Sequence, residues 1–169
     1  MAKTFLDELV EYPAKVIQKI GTTKNIVALL ADDASIDMDS DEADDVFDKY
    51  LFDYGYVDST TTEARAFVCV EAELLRTPTP TVQDLRLYVT IICHKNYMKI
   101  DPSRFTGIIG NRRDNLVRNI DIVLNGSDIF GIGLLTLDSV KTVSSPTGFT
   151  ARELTYKIAD FKNKGVVRT

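Results

Sequence analysis

The chain has 169 residues, 44% of them hydrophobic and 27% charged, enough for one globular domain with a sizeable core. Its net charge of −5 argues against a domain built to grip nucleic acid, since phosphate binding is driven by clustered Lys and Arg. No apolar run approaches the roughly 20 residues of a membrane helix, and the N-terminal "MAKTFLDELVEYP" has acids where a signal peptide carries its apolar core, so a cytosolic chain without membrane association is expected.

The first thirty-one residues read as helix. Thr4 can cap a first turn carrying Phe5, Leu6, Leu9 and Val10. Pro13 is expected to start a second helical piece with Val16, Ile17 and Ile20. After Gly21, "TTKNIVALLAD" predicts a short apolar helix. Residues 32–64 read as an acidic insertion or loop, with eleven acids against the single Lys49 between Asp32 and Asp58. Asp37, Asp39, Asp41 and Asp48 imitate the spacing of a calcium loop, which raises a calcium-dependent interaction module as one alternative. Glu42, however, stands where such a loop needs Gly for its sharp turn.

From Arg65 the period becomes two. Ala66, Val68, Val70, Ala72 and Leu74 alternate with Phe67, Cys69, Glu71 and Glu73, the pattern of a half-buried strand. "RTPTPT" reads as a break, because proline removes ladder donors. Leu85, Leu87, Val89, Ile91 and Cys93 then form the apolar row of a second strand. Cys93 and His94 are neighbours on it and point to opposite faces, so they cannot form a dyad. Cys69 approaching His94 from a paired strand is the route left to a small cysteine-dependent enzyme. The two cysteines lack CxxC spacing and are expected as buried free thiols, with a single disulfide between them as the other possibility. No cofactor, catalytic set or metal site is expected.

"NRRDNLVRNIDIVLNG" predicts an amphipathic helix with Leu116, Ile120, Val123 and Leu124 inward, Asn111 as its cap and Asn125-Gly126 as its stop. Arg112 and Arg113 sit near a helix N-terminus, the end that favours anions. Together with Arg118 they are expected to pair with acids on a neighbour, as interface residues. "FGIGLLTLDSV" has GxG without the third glycine or Lys-Ser/Thr of a phosphate loop. It leads instead into a hairpin of two strands around Pro146–Gly148. The order predicts an α+β fold over residues 65–161, a mainly antiparallel four-stranded sheet with helices packed on one face, within a single domain spanning 1–169.

In "ARAFVCVEAE", "LRLYVTIICHK", "GNRRDNLVRNIDIVLNG", "FGIGLLTLDSV" and "FTARELTYKIADF" the chain resembles neck proteins of tailed bacteriophages, of the tail-terminator or tail-completion type. The resemblance implies a non-enzymatic structural subunit of the virion neck, assembled in the host cytoplasm. It implies a homo-oligomeric ring, six around an axis, that ends the tail tube and joins it to the head connector, with genomic DNA passing through unbound. A head-closure (stopper) or other connector subunit is the alternative within that class. The acidic segment and the stretch around Pro78 and Pro80 depart from the resemblance.

Overall fold

A computed structural model of the chain describes residues 5–55, 62–79 and 82–158. Four helices, α1 (Phe5–Gly21), α2 (Lys24–Ala31), α3 (Asp41–Tyr50) and α4 (Arg112–Leu124), accompany five strands. These are β1 (Leu51–Phe52), β2 (Ala66–Thr79), β3 (Val82–His94), β4 (Leu135–Val143) and β5 (Phe149–Ile158), in the sheet order β1-β2-β3-β5-β4. The fold is α+β, and the sheet is mixed rather than four-stranded. The four expected strands pair antiparallel. The two-residue β1 adds a parallel pairing, Leu51 with Val68 and Phe52 with Cys69. Two residues are too few to show a period of two.

The apolar rows explain the packing. Val68, Val70, Leu87, Val89, Ile91 and Leu154 share one face of the sheet by register and are almost wholly buried. On α4, Leu116, Ile120 and Leu124 lie on one stripe and are each fully buried. Asn111 caps that helix by accepting from the Asp114 N–H at 2.9 Å, and Gly126 takes the positive φ of 78° that stops it cheaply. α1 contributes Tyr12, Val16 and Ile20 to the same core, and the Tyr12 ring stacks on Phe130 with centroids 4.2 Å apart.

Four expectations are corrected. Thr4 and Pro80 lie outside the described residues, but Pro13 starts no new piece: α1 runs unbroken from Phe5 to Gly21 with Pro13 inside it. β2 and β3 continue past the expected break at Pro78 as far as Thr79 paired with Val82, with irregular register on the way. The acidic segment contains a helix, α3, because Ser40 caps it, Asp41, Glu42 and Asp44 load its positive end, and Ala43, Val46 and Tyr50 give it a buried stripe. The Phe67–Cys69 row is buried as well as its opposite, since Tyr50 and Phe52 from α3 and β1 bring their rings to 5.8 and 6.3 Å from Phe67.

α1 and α3 meet at Gly21, where a Cβ would fall 2.4 Å from the Phe47 ring. At the far edge, β4 pairs among the described residues only with β5 and is interrupted by a bulge at Asp138, a feature that discourages a further strand from adding there. Truncating Ile120 to Ala should cost about 2–5 kcal/mol through lost burial and a residual cavity. Urea titration followed by circular dichroism checks this, and an unchanged midpoint would place α4 outside the core.

Candidate functional site

The most concentrated polar chemistry in the described residues surrounds Arg112. Its side chain is 1% exposed, which removes it from any surface contact and corrects the expectation that it lies at an interface. The reason is its neighbours. Nη1 donates to the Leu29 carbonyl at 2.5 Å, Nε to the Tyr97 carbonyl at 2.9 Å, and Nη2 to Asp32 Oδ1 at 2.5 Å. The guanidinium carbon lies 4.1 Å from the centroid of the Tyr97 ring, in cation–π range. A cation out of place at the start of α4 is thus accommodated at the negative end of α2, whose last carbonyls have no partner within their own helix.

Tyr97 widens the cluster. Its hydroxyl donates to the Leu30 carbonyl at 2.8 Å and accepts from Arg65 Nη1 at 3.2 Å. Arg65 also lies over the Tyr50 ring at 5.7 Å, and the Tyr50 hydroxyl donates to Glu63 at 3.0 Å. Burial pushes the Tyr97 phenol above its ordinary range. Asp32, the C-cap of α2, holds a left-handed φ of 61°, the one positive value on a non-glycine residue among those described. Its carboxylate pairs with Arg112 and, at 3.3 Å, with Arg104, and its carbonyl accepts from Arg104 Nη2. Those contacts explain an aspartate at a position glycine fills more cheaply.

The other two expected arginines differ from Arg112 and from each other. Arg113 is partly buried, donating to Asp114 and to the Thr150 hydroxyl of β5. Arg118 is exposed, with a 3.1 Å bond to the Gly107 carbonyl. It lines a cleft of about 480 Å³ between α2, α4 and the 104–108 loop. Lys24 and Arg104 stand on the same cleft, Leu29, Phe105 and Ile122 supply apolar surface, and no lining residue is acidic. The sequence could not single out this cleft, because its three cations come from positions 24, 104 and 118.

The cysteine–histidine chemistry is not assembled. Cys69 pairs with Thr90, four residues and so about 13 Å along β3 from His94. Cys93 lies on the opposite face from Cys69, and both are buried and outside any disulfide. Burial is the main cause that pushes the Cys93 thiol up to about 11, only partly opposed by Arg112 and Arg113, so it is a poor nucleophile near neutral pH. His94 ends β3: its Nδ1 accepts the Asn96 N–H at 3.2 Å, and its ring meets Phe149 edge-on at 4.9 Å. The calcium-loop spacing dissolves as well. Asp37 caps a turn by accepting the Asp39 N–H, while Asp41 through Asp48 project from a helix, and a helix cannot wrap those carboxylates around one ion.

The comparisons bear on the same region. The model of the YomW family matches residues 23–158. The chain belongs to the YomW family. This is a phage-derived family. No curated protein matches it. The YomW segment opens at Thr23, the N-cap of α2, and closes at Ile158, the last residue of β5. It therefore contains every member of the Arg112 cluster.

Two outcomes follow from these environments. Arg112→Met should lose about 3–5 kcal/mol, because it leaves the Leu29 and Tyr97 carbonyls without their donor and takes one of the two cations of Asp32, whereas Arg118→Ala should stay within about 0.5 kcal/mol. Urea midpoints of the two variants separate a structural from a surface arginine, and equal midpoints would contradict the cluster. On pH, burial and then the Glu8 charge raise the Tyr12 phenol to about 12, and burial and then Asp121 raise Tyr156 further still. A phenol with a raised folded pKa stabilises the fold fully below its unfolded value near 10, and that stability is lost as pH climbs through the folded value. The urea midpoint should fall steeply between about pH 10 and pH 12, and a Tyr12→Phe variant should show a shallower fall.

Proposed function

We propose that this YomW-family protein is a non-enzymatic structural subunit of a phage neck. It forms a ring that terminates the tail tube and joins it to the head connector. The reading is carried by one observation: membership of a phage-derived family coincides with the order β2-β3-α4-β4-β5, the order in which the sequence resembles tail-terminator proteins. The buried, weakly acidic thiol of Cys93 and the capping role of His94 are consistent with it. In this role the Arg112 cluster fixes the subunit's shape, and the exposed charges of Arg118 and α3 face neighbouring subunits. The partners are further copies of the chain, closing at six, together with tail-tube and head-connector proteins. DNA passes through the ring without specific binding, and an acidic chain is suited to that because it repels phosphate at short range.

A phage with the gene deleted should yield filled heads and separate tails, restored to joined particles by supplying the chain in trans. Electron microscopy of lysates reads this directly. Heads that release their DNA would move the protein to the head-closure position. Normal particles at normal yield would remove it from the neck altogether.

A further inference from the structure

Two exposed surfaces, made from different residues, carry opposite charge. The cleft between α2 and α4 is lined by three cations and no carboxylate; Arg104 pairs with Asp32 beside the cleft, which leaves Lys24 and Arg118 as its uncompensated charges. Beside its opening Ile122 is 66% exposed, and Ile109, next to the lining residue Ile108, is 72% exposed. The second surface is a groove of about 320 Å³ between α1, α3 and β1. Its charged lining residues are Asp48 and Asp53, with no cation, and Phe47, Phe52 and Tyr54 give it an aromatic wall. Val10 and Leu6, 76% and 65% exposed, extend that wall one and two turns along α1 from Ala14. The remaining acids of α3, among them Asp41 and Asp44, are also exposed.

Neither surface is ordinary for a lone molecule. Each combines large exposed apolar side chains, which gain by being covered, with charge of a single sign. Among the described residues Lys24 and Asp48 make no ion pair, and Arg118 donates only to a carbonyl. The groove abuts β1, at one edge of the sheet, while the cleft lies over α4, which packs on β3 and β5. One chain therefore displays both halves of a contact at separate places.

We propose that the basic cleft of one copy receives the acidic α3 groove of the next, a head-to-tail contact between copies of this chain. This rests on the ring reading above and names its surfaces. Such a contact is heterologous, because the patch on one copy differs from the patch it meets, and it repeats until rotation closes a ring. The apolar side chains supply most of the affinity, with Ile122 and Ile109 meeting Phe47 and Val10. Arg118, Lys24 and Asp48 steer the approach and fix its register. Like surfaces pair poorly: cleft against cleft sets Lys24 and Arg118 against their own copies, and groove against groove sets Asp48 and Asp53 on acids. The charge pattern thus disfavours a two-fold dimer through either surface and favours the head-to-tail arrangement.

The test is a charge swap in the full chain, read by sedimentation velocity from about 10 μM to about 1 mM. Arg118→Glu and Asp48→Lys should each weaken self-association about tenfold, and the double variant should return most of it. Ile122→Asp should weaken association without a charge partner to rescue it. Unchanged urea midpoints establish that each variant is folded. Wild-type association should also fall between about 0.05 and 0.5 M salt, as screening shortens the reach of the charges. Association that ignores both single reversals would overturn this pairing of surfaces while leaving the ring reading to the particle phenotype. A wild-type chain monomeric throughout the range would overturn it too, and joined particles from a deletion phage would remove the ring reading separately. Retained association in Arg118→Glu together with loss of binding to a single-stranded DNA of about 20 bases would assign the cleft to nucleic acid and overturn the contact between copies.

Discussion

Burying a guanidinium without its full set of acceptors destabilises a fold severely, since desolvation alone amounts to several kcal/mol per ion. Arg112 is 1% exposed, so the structure around it must supply carbonyls, a carboxylate and a ring face in one place. Those groups come from α2 with its C-cap and from the segment after β3, while the cation itself starts α4. If α2 shifted by a turn, Leu29 and Asp32 would leave the cation and Tyr97 would lose the Leu30 carbonyl. The cluster therefore fixes the position of the N-terminal helices relative to the sheet more narrowly than apolar contacts do, because hydrogen bonds have direction and hydrophobic burial does not. Lys could not substitute: it lacks the planar fork that reaches the Leu29, Tyr97 and Asp32 acceptors at once.

The sheet shows how one chain buries two unequal faces. The helix-covered face takes the long aliphatic rows, while the other is apolar only at one end. There Phe67, Ile92, Phe149 and Ala151 gather beneath the rings of α3 and β1. Farther along, the same face turns to charge, with Arg86 bonded to Asp138 at 2.6 Å and Lys157 to the same carboxylate at 3.1 Å. The bulge at Asp138 brings this acid between the two cations of neighbouring strands. Exposed pairs of this kind contribute little to stability, but they set which residues stand opposite one another and so help hold the register of β4.

The central helix and four of the strands were legible because each shows its period plainly. Leu116, Ile120 and Leu124 repeat at helical spacing between an Asn cap and a Gly stop, and Leu85 to Cys93 carry an apolar residue at every second position. The acidic helix was obscured because its carboxylates imitate a calcium loop, although Ser40, the acids after it and the Ala43–Val46–Tyr50 spacing are a sufficient helix signal. The second buried face was also present in the sequence: Ala66-Phe67-Val68-Cys69-Val70 is apolar without interruption, the mark of a strand covered on both sides. The fate of Arg112 was not legible. Two adjacent arginines have the same chemistry, and what draws one inward is a carbonyl 83 residues away. The cleft suffers the same limitation, as do all sites assembled from distant segments.

That separation of 83 residues between Leu29 and Arg112 also sets an order of events during synthesis. At ribosomal speeds of about 5–20 residues per second, the end of α2 waits about 4–17 s before the guanidinium that completes it has been made. Throughout that interval the nascent chain carries apolar helices with nowhere final to dock. The carboxylates of α3, emerging directly behind α2, give this waiting segment a strong negative charge, and mutual repulsion keeps crowded nascent chains apart. The exposed carboxylates of a helix whose other face completes the core would then act earliest, as a safeguard against aggregation on polysomes making many copies of the chain at once.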